Sequence, residues 1–151
     1  MCQALKRIFK ELTNFNKEEP EGISAGPIDD SNMFLWEASI SGPEDSPYEG
    51  GFFQLKIDFP KDYPYKSPNV EFCTKIFHPS VRKDGRICCH AAPIRDNWSP
   101  EISIVNILQS IQTKLKSPDK DCYENVEAHD ALVNGEFNEI ARKYTELYAI
   151  E

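Results

Sequence analysis

Phe34-Leu35-Trp36-Glu37-Ala38-Ser39-Ile40 and Phe52-Phe53-Gln54-Leu55-Lys56-Ile57-Asp58-Phe59 flank a segment, Gly42 to Gly51, built of Gly, Pro, Ser, acidic residues and one Tyr. In the first run Phe34, Trp36, Ala38 and Ile40 share one face. In the second, Phe53, Leu55, Ile57 and Phe59 alternate with Phe52, Gln54, Lys56 and Asp58. A period of two is the period of a strand, and side chains two apart line one face of a sheet. Two such runs joined by chain-breaking residues predict an antiparallel hairpin with an apolar inner face.

The pattern extends outward on both sides. Toward the N-terminus, Asp29-Asp30-Ser31-Asn32 is a turn cluster, and Gly22-Ile23-Ser24-Ala25-Gly26-Pro27 predicts an edge strand ending at the proline. A polar linker containing Pro20 precedes it. Leu5, Ile8, Phe9 and Leu12 fall at i, i+3, i+4 and i+7, which predicts an amphipathic first helix with Lys6, Arg7 and Lys10 on the opposite face. Toward the C-terminus, Pro60, Pro64 and Pro68 punctuate a loop before a fourth strand, Asn69 to Cys73. Ile104, Ile107, Leu108, Ile111 and Leu115 mark a long helix with Ser103 as its N-cap and Pro118 beyond its end. Asn125 to Val133 reads as a short helix. Phe137, Ile140, Ala141, Tyr144, Leu147 and Tyr148 mark the last one. The expected class is α+β: an N-terminal helix, a four-stranded antiparallel meander sheet, an active-site loop, then a long helix and two C-terminal helices.

A chain of 151 residues suits one domain, here 1–151, and can bury roughly 70% of its unfolded surface. Neither disulfides nor a metal are needed for such a core. A net charge of −8 argues against a nucleic-acid binder, whose footprint is basic. No apolar run approaches the ~18 residues of a membrane span. The five cysteines are odd in number and lack a repeating spacing, and the first twelve residues carry charges at Lys6, Arg7, Lys10 and Glu11 in place of a signal sequence. The expectation is a reducing compartment, cytoplasmic or nuclear, with free thiols.

The chemistry concentrates in one irregular stretch, Phe77-His78-Pro79-Ser80-Val81-Arg82-Lys83-Asp84-Gly85-Arg86-Ile87-Cys88-Cys89-His90, closed by Trp98-Ser99-Pro100. Pro79 fixes its own φ and restricts His78. Asp84-Gly85 is a turn signal, which places Cys88 on extended backbone just after a turn. A thiol with an ordinary pKa near 8.5 is a few per cent thiolate at neutral pH, enough to exchange with a thioester. Two duller constellations compete. Cys88, Cys89, His90 and His78 suggest zinc, but adjacent cysteines chelate one ion awkwardly and no second ligand pair exists, so no metal is expected. His78 with Cys88 suggests a hydrolytic couple, without a visible third member.

This stretch resembles the active-site region of the ubiquitin-conjugating enzymes, whose pattern is His-Pro-Asn, then Gly-x-Ile/Val-Cys-Leu, then Trp-x-Pro. The chain has His78-Pro79-Ser80, Gly85-Arg86-Ile87-Cys88-Cys89 and Trp98-Ser99-Pro100. Ala4 to Leu12 and the loop from Pro60 to Pro68 also resemble the family's first helix and its proline-rich loop, so the likeness runs nearly end to end. It implies that Cys88 forms the thioester and that His78, Pro79 and Trp98 are structural in the loop. Ser80, standing for Asn, either supplies a donor to the oxyanion or only caps the turn. An acidic residue near the attacking lysine falls at Asp121, or else Cys122 holds that position. Lys6, Arg7, Lys10, Tyr65, Ser99 and Pro100 fall on surfaces used by the activating enzyme and ligases. Ser24 falls where ubiquitin docks non-covalently on the back of the sheet.

The implied activity is to accept ubiquitin, or a ubiquitin-like protein, from an activating enzyme as a thioester on Cys88. The cargo then passes to a substrate lysine or a ligase cysteine. No cofactor is implied, because ATP is consumed by the activating enzyme. The implied partners are the modifier, the activating enzyme, a ligase and protein substrates, with neither nucleic acid nor membrane. The spacer from Ala91 to Asn97 is longer than in the ubiquitin-specific members and similar to the SUMO-conjugating branch, while the first helix and the Ser24 region are of ubiquitin type. The rival reading is a scaffold of the same fold that binds ubiquitin or a partner without discharging it. Ser80, His90 and the unfixed register at Asp121 point toward it, and Cys88 points away.

Overall fold

The computed structural model describes residues 2–88, 91–118 and 123–150. The chain opens with helix α1 (Gln3–Glu18) and continues into strands β1 (Ile23–Asp29), β2 (Asn32–Ser41), β3 (Phe52–Asp58) and β4 (Asn69–Phe72). These form one antiparallel sheet in the order β1-β2-β3-β4. A 3₁₀ turn (Arg95–Asn97) precedes helices α2 (Ile104–Lys116), α3 (Val126–Asn134) and α4 (Phe137–Tyr148). The architecture is the expected α+β meander with its helices segregated from the sheet. None of the described helices is long and apolar enough to cross a membrane.

The alternation in β2 and β3 does what its period requires. Trp36 pairs with Ile57, Ala38 with Leu55 and Ile40 with Phe53, and all six are buried on one face. The outward set of β3, from Phe52 to Asp58, stays exposed. β1 runs beyond Pro27 to Asp29, with a register shift between those two residues. A proline is tolerated there because β1 is an edge strand and that N–H position needs no partner.

Two helical faces differ from the periodicity. α1 buries Ala4, Ile8, Glu11 and Phe15, while Phe9 is 40% exposed. The inward stripe is therefore rotated toward a glutamate, because Glu11 has buried partners described below. α4 buries Phe137, Ala141 and Thr145, and Leu147 is 72% exposed. The helix meets the core along a narrower line than its apolar composition suggests.

α2 follows its signals closely. The Ser103 hydroxyl accepts the Asn106 N–H, and the Asn106 side chain accepts the Ser103 N–H, a reciprocal capping box. Ile104, Ile107, Leu108, Ile111 and Leu115 are buried in the same apolar cluster as the inner face of the sheet. Each such side chain contributes about 1.5–3 kcal/mol. Gly85 adopts φ 95°, and a Cβ there would lie 2.1 Å from the Phe72 carbonyl oxygen, so the turn before Cys88 tolerates only glycine.

Candidate active site

Between β4 and α2, residues 78–88 fold as a small hairpin around buried His78. Val81 bridges His78 and Ile87 in antiparallel register. The Cys88 N–H donates to the Ser80 carbonyl at 2.8 Å, and the Arg82 N–H donates to the Arg86 carbonyl at 2.8 Å. Cys88 and Ser80 are thus neighbours through their backbones. Cys88 is 6% exposed and Ser80 1% exposed.

His78 is fully engaged. Its Nδ1 accepts the Ser80 N–H at 3.0 Å, which leaves Nε2–H to donate to the Lys114 carbonyl at 2.8 Å. Burial lowers its pKa to about 4, more than the Lys114 hydrogen bond raises it, so the ring is neutral at physiological pH. With both nitrogens committed, His78 can neither deprotonate a thiol nor ligate zinc. It ties the hairpin to the C-terminal turn of α2. Pro79 extends the anchorage, because its carbonyl accepts the N–H groups of Glu124 and Asn125 at 2.8 and 3.0 Å at the start of α3. Among the described residues no group of three or more His, Cys, Asp or Glu is placed to hold a metal ion.

Cys88 itself departs from expectation. It takes part in a disulfide, whereas Cys2 and Cys73 are free. The odd cysteine count hid this, because counting says nothing about which sulfurs lie near one another. Asp121 and its alternative Cys122, as well as Cys89 and His90, lie outside the described residues.

Trp98 pins a second loop to this one. Its indole N–H donates to the Pro64 carbonyl at 2.8 Å, and its ring lies against Tyr63 at 5.8 Å between centroids. Tyr65, 64% exposed, accepts a hydrogen bond from Gln3 at 2.9 Å. The start of α1, the proline loop and the Trp98–Ile102 segment therefore form one continuous surface. Lys6, Lys10 and Pro100 are exposed. Ser99 is half-buried and donates to Glu101 at 3.1 Å.

Arg7 is the exception on that surface. Its guanidinium donates to Glu11 at 2.9 Å, to the Pro100 carbonyl at 2.7 Å and to the Ile102 carbonyl at 2.9 Å. The expected solvated basic face is reduced to Lys6 and Lys10. Glu11, to which the sequence assigns no role beyond its charge, is 2% exposed and also accepts from Tyr63 and from the Ile104 N–H. The signal available was its position at i+4 from Arg7 and i+3 from Ile8. Ser24 is exposed on the outer sheet face, beside a shallow depression lined by Gly26, Glu37, Ser39 and Gln54.

A helix-capped antiparallel meander carrying a cysteine on a buried His-Pro hairpin defines a class of fold and site. The chain matches the ubiquitin-conjugating enzyme family model over residues 7–145, and it belongs to that family.

Proposed function

We propose that the chain, acting as one domain, accepts ubiquitin or a ubiquitin-like protein as a thioester on Cys88 and passes it to a substrate lysine or a ligase cysteine. The observation that carries this reading is the backbone placement of Cys88. Its N–H is held by Ser80 on a hairpin whose imidazole is neutral and fully bonded, inside a chain of this family. Transfer from one thioester to another is close to thermoneutral, so a preorganised thiol suffices without a dedicated base. Lysine attack then develops charge on the thioester oxygen, and there the donors around the hairpin matter. The chain's own chemistry needs no cofactor, since ATP activates the modifier on the activating enzyme.

Lys6 and Lys10 are the charges offered to the activating enzyme. Tyr65, Ser99 and Pro100 are the surface offered to ligases, and Ser24 the one offered to a second ubiquitin. We place the protein in the cytoplasm or nucleus, where the Cys88 disulfide is reducible. The scaffold reading is favoured by one observation, the engagement of Cys88 in a disulfide, which leaves no nucleophile in that form.

The test is loading, after treatment with a phosphine reductant and its removal, with ubiquitin or SUMO, each with its activating enzyme and ATP. A thiol-sensitive adduct with ubiquitin that disappears in Cys88→Ala and survives in Cys89→Ala is the expected result. Absence of an adduct with ubiquitin, SUMO and the other ubiquitin-like modifiers, each with its own activating enzyme, would return the chain to the scaffold reading.

A further inference from the structure

The peptide group that joins Ile87 to Cys88 carries the Ile87 carbonyl on one side and the Cys88 N–H on the other, pointing in opposite directions as a trans peptide requires. The N–H end is held by Ser80. The carbonyl end is held by Arg95, whose Nη2 donates to the Ile87 oxygen from eight positions further along the chain. Ile87 is buried, so its oxygen has no easy alternative in water.

A second, independent observation concerns Arg95 itself. Its φ is 51°, in the left-handed region that residues other than glycine seldom occupy. Its carbonyl accepts the Trp98 N–H at 3.1 Å, closing the 3₁₀ turn. Glycine satisfies that backbone with less strain, and the backbone bond to Trp98 does not depend on the side chain. What arginine adds is the guanidinium. Strain kept at one residue whose side chain grips the backbone of a reactive one is the pattern from which a role can be inferred.

We infer that Arg95 is a positioning residue for the chemistry at Cys88: with Ser80 it grips both ends of the Ile87–Cys88 peptide plane and so fixes the direction in which the sulfur presents its acyl group. This rests on the proposed thioester at Cys88. A peptide plane held at one end can rock, and the Cα–Cβ bond of Cys88 rocks with it. Held at both ends, it presents the thioester carbonyl to an incoming amine in one orientation, where small misplacements are expensive in rate. The charge of the guanidinium also polarises the peptide, which strengthens the Cys88 N–H as a donor to Ser80. The spacer loop after Cys88 thereby acts as a brace for the residue before it.

The test compares Arg95→Gly and Arg95→Lys with the parent under reducing conditions. The first readout is single-turnover discharge of preloaded ubiquitin to free lysine. It follows only loaded molecules, so a folding defect lowers its amplitude and leaves its rate alone. Arg95→Gly is expected to lower the maximal discharge rate roughly tenfold without changing the lysine concentration at half-maximum, and Arg95→Lys, with one usable donor, to recover part of the loss. The second readout is hydrogen exchange at the Cys88 amide, expected to quicken in Arg95→Gly whether or not the protein transfers anything. Discharge at the parental rate overturns the inference, and so does unchanged Cys88 exchange. If the parent fails to load while Cys88 exchange quickens in Arg95→Gly, the clamp stands as structure and the thioester reading is what fails, taking the positioning role with it.

Discussion

Glu11 and Ile104 meet across 93 positions of sequence: the buried carboxylate of α1 accepts the first N–H of α2 at 2.8 Å. A carboxylate at a helix N-terminus satisfies an orphan donor and sits at the positive end of the helix dipole. The same carboxylate holds Arg7 and Tyr63, and Arg7 in turn holds the carbonyls of Pro100 and Ile102. Charge reversal at Arg7 therefore tests the fold and not a docking face. Arg7→Glu sets like charges against each other and orphans two carbonyls. It is expected to cost ~3 kcal/mol and to lower Tm by roughly 10 °C.

Lys6→Glu with Lys10→Glu reverses charge at exposed positions. Surface changes of this kind alter stability by no more than ~0.5 kcal/mol but weaken electrostatic steering. Loading by the activating enzyme should slow, most of all at low salt, with Tm nearly unchanged. Equal loading rates at low and physiological ionic strength would make these lysines ordinary solvated charges.

The neutral state of His78 has a pH signature. Its pKa is near 4 in the fold, below the ordinary value of 6.5. Above pH 6.5 neither state is protonated there and the full stability is present. As pH falls from 6.5 toward 4, the unfolded chain takes up a proton that the native ring refuses. The group then removes ~1.4 kcal/mol per pH unit, up to ~3 kcal/mol in all, and the loss levels off below pH 4. Urea titrations at several pH values, compared with His78→Gln, isolate this component. Parallel stability profiles across pH 6.5–4 would show that the imidazole titrates normally.

What the sequence made legible follows from period and punctuation. The inward sets of β2 and β3 were readable because alternation and sheet face are the same fact stated twice. Ser103 announced α2, and Asp84-Gly85 announced the turn before Cys88. The faces of α1 and α4 were less readable, because an apolar residue such as Phe9 or Leu147 turns outward when a neighbouring stripe packs better. Arg7 looked like surface charge, and Glu11 gave no sign of its role, because no one-dimensional pattern reveals partners 93 or more positions away. Arg95 carried no signal at all. Its role depends on a left-handed backbone and a carbonyl upstream of it.

On the proposed thioester reading, the disulfide at Cys88 makes reduction a precondition for loading. A sulfur bonded to sulfur cannot attack a thioester, whereas a thiolate can. Protein purified without reductant is expected to load less ubiquitin than the same preparation treated with a phosphine, and alkylation before reduction should spare Cys88 while modifying Cys2 and Cys73. Peptide mapping by mass spectrometry reads both outcomes. If Cys88 is alkylated in the untreated protein, its thiol is free in solution.

Ser80 presents a choice between two uses of one small residue. Its carbonyl holds the Cys88 N–H and its own N–H is accepted by His78, so its backbone does structural duty whatever its side chain does. Ser80→Ala keeps both backbone bonds and removes only the hydroxyl. Loading should persist at close to the parental rate, because the activating enzyme shares the task of stabilising the first oxyanion. Discharge to free lysine separates the two uses. A hydroxyl that donates to the thioester oxygen is worth about 2.7–4 kcal/mol, and its loss would slow discharge by a hundredfold or more. A hydroxyl that only caps the turn is worth ~1 kcal/mol of stability and little in rate. The expected result is the second, with discharge within about threefold of the parent and a small fall in Tm. The burial of Ser80 also sets the outcome for Ser80→Asn, since an added amide in a site 1% exposed must displace its neighbours at ~1–3 kcal/mol. A faster discharge from a stable Ser80→Asn variant would show that the pocket opens around the larger side chain and that the missing amide was limiting transfer.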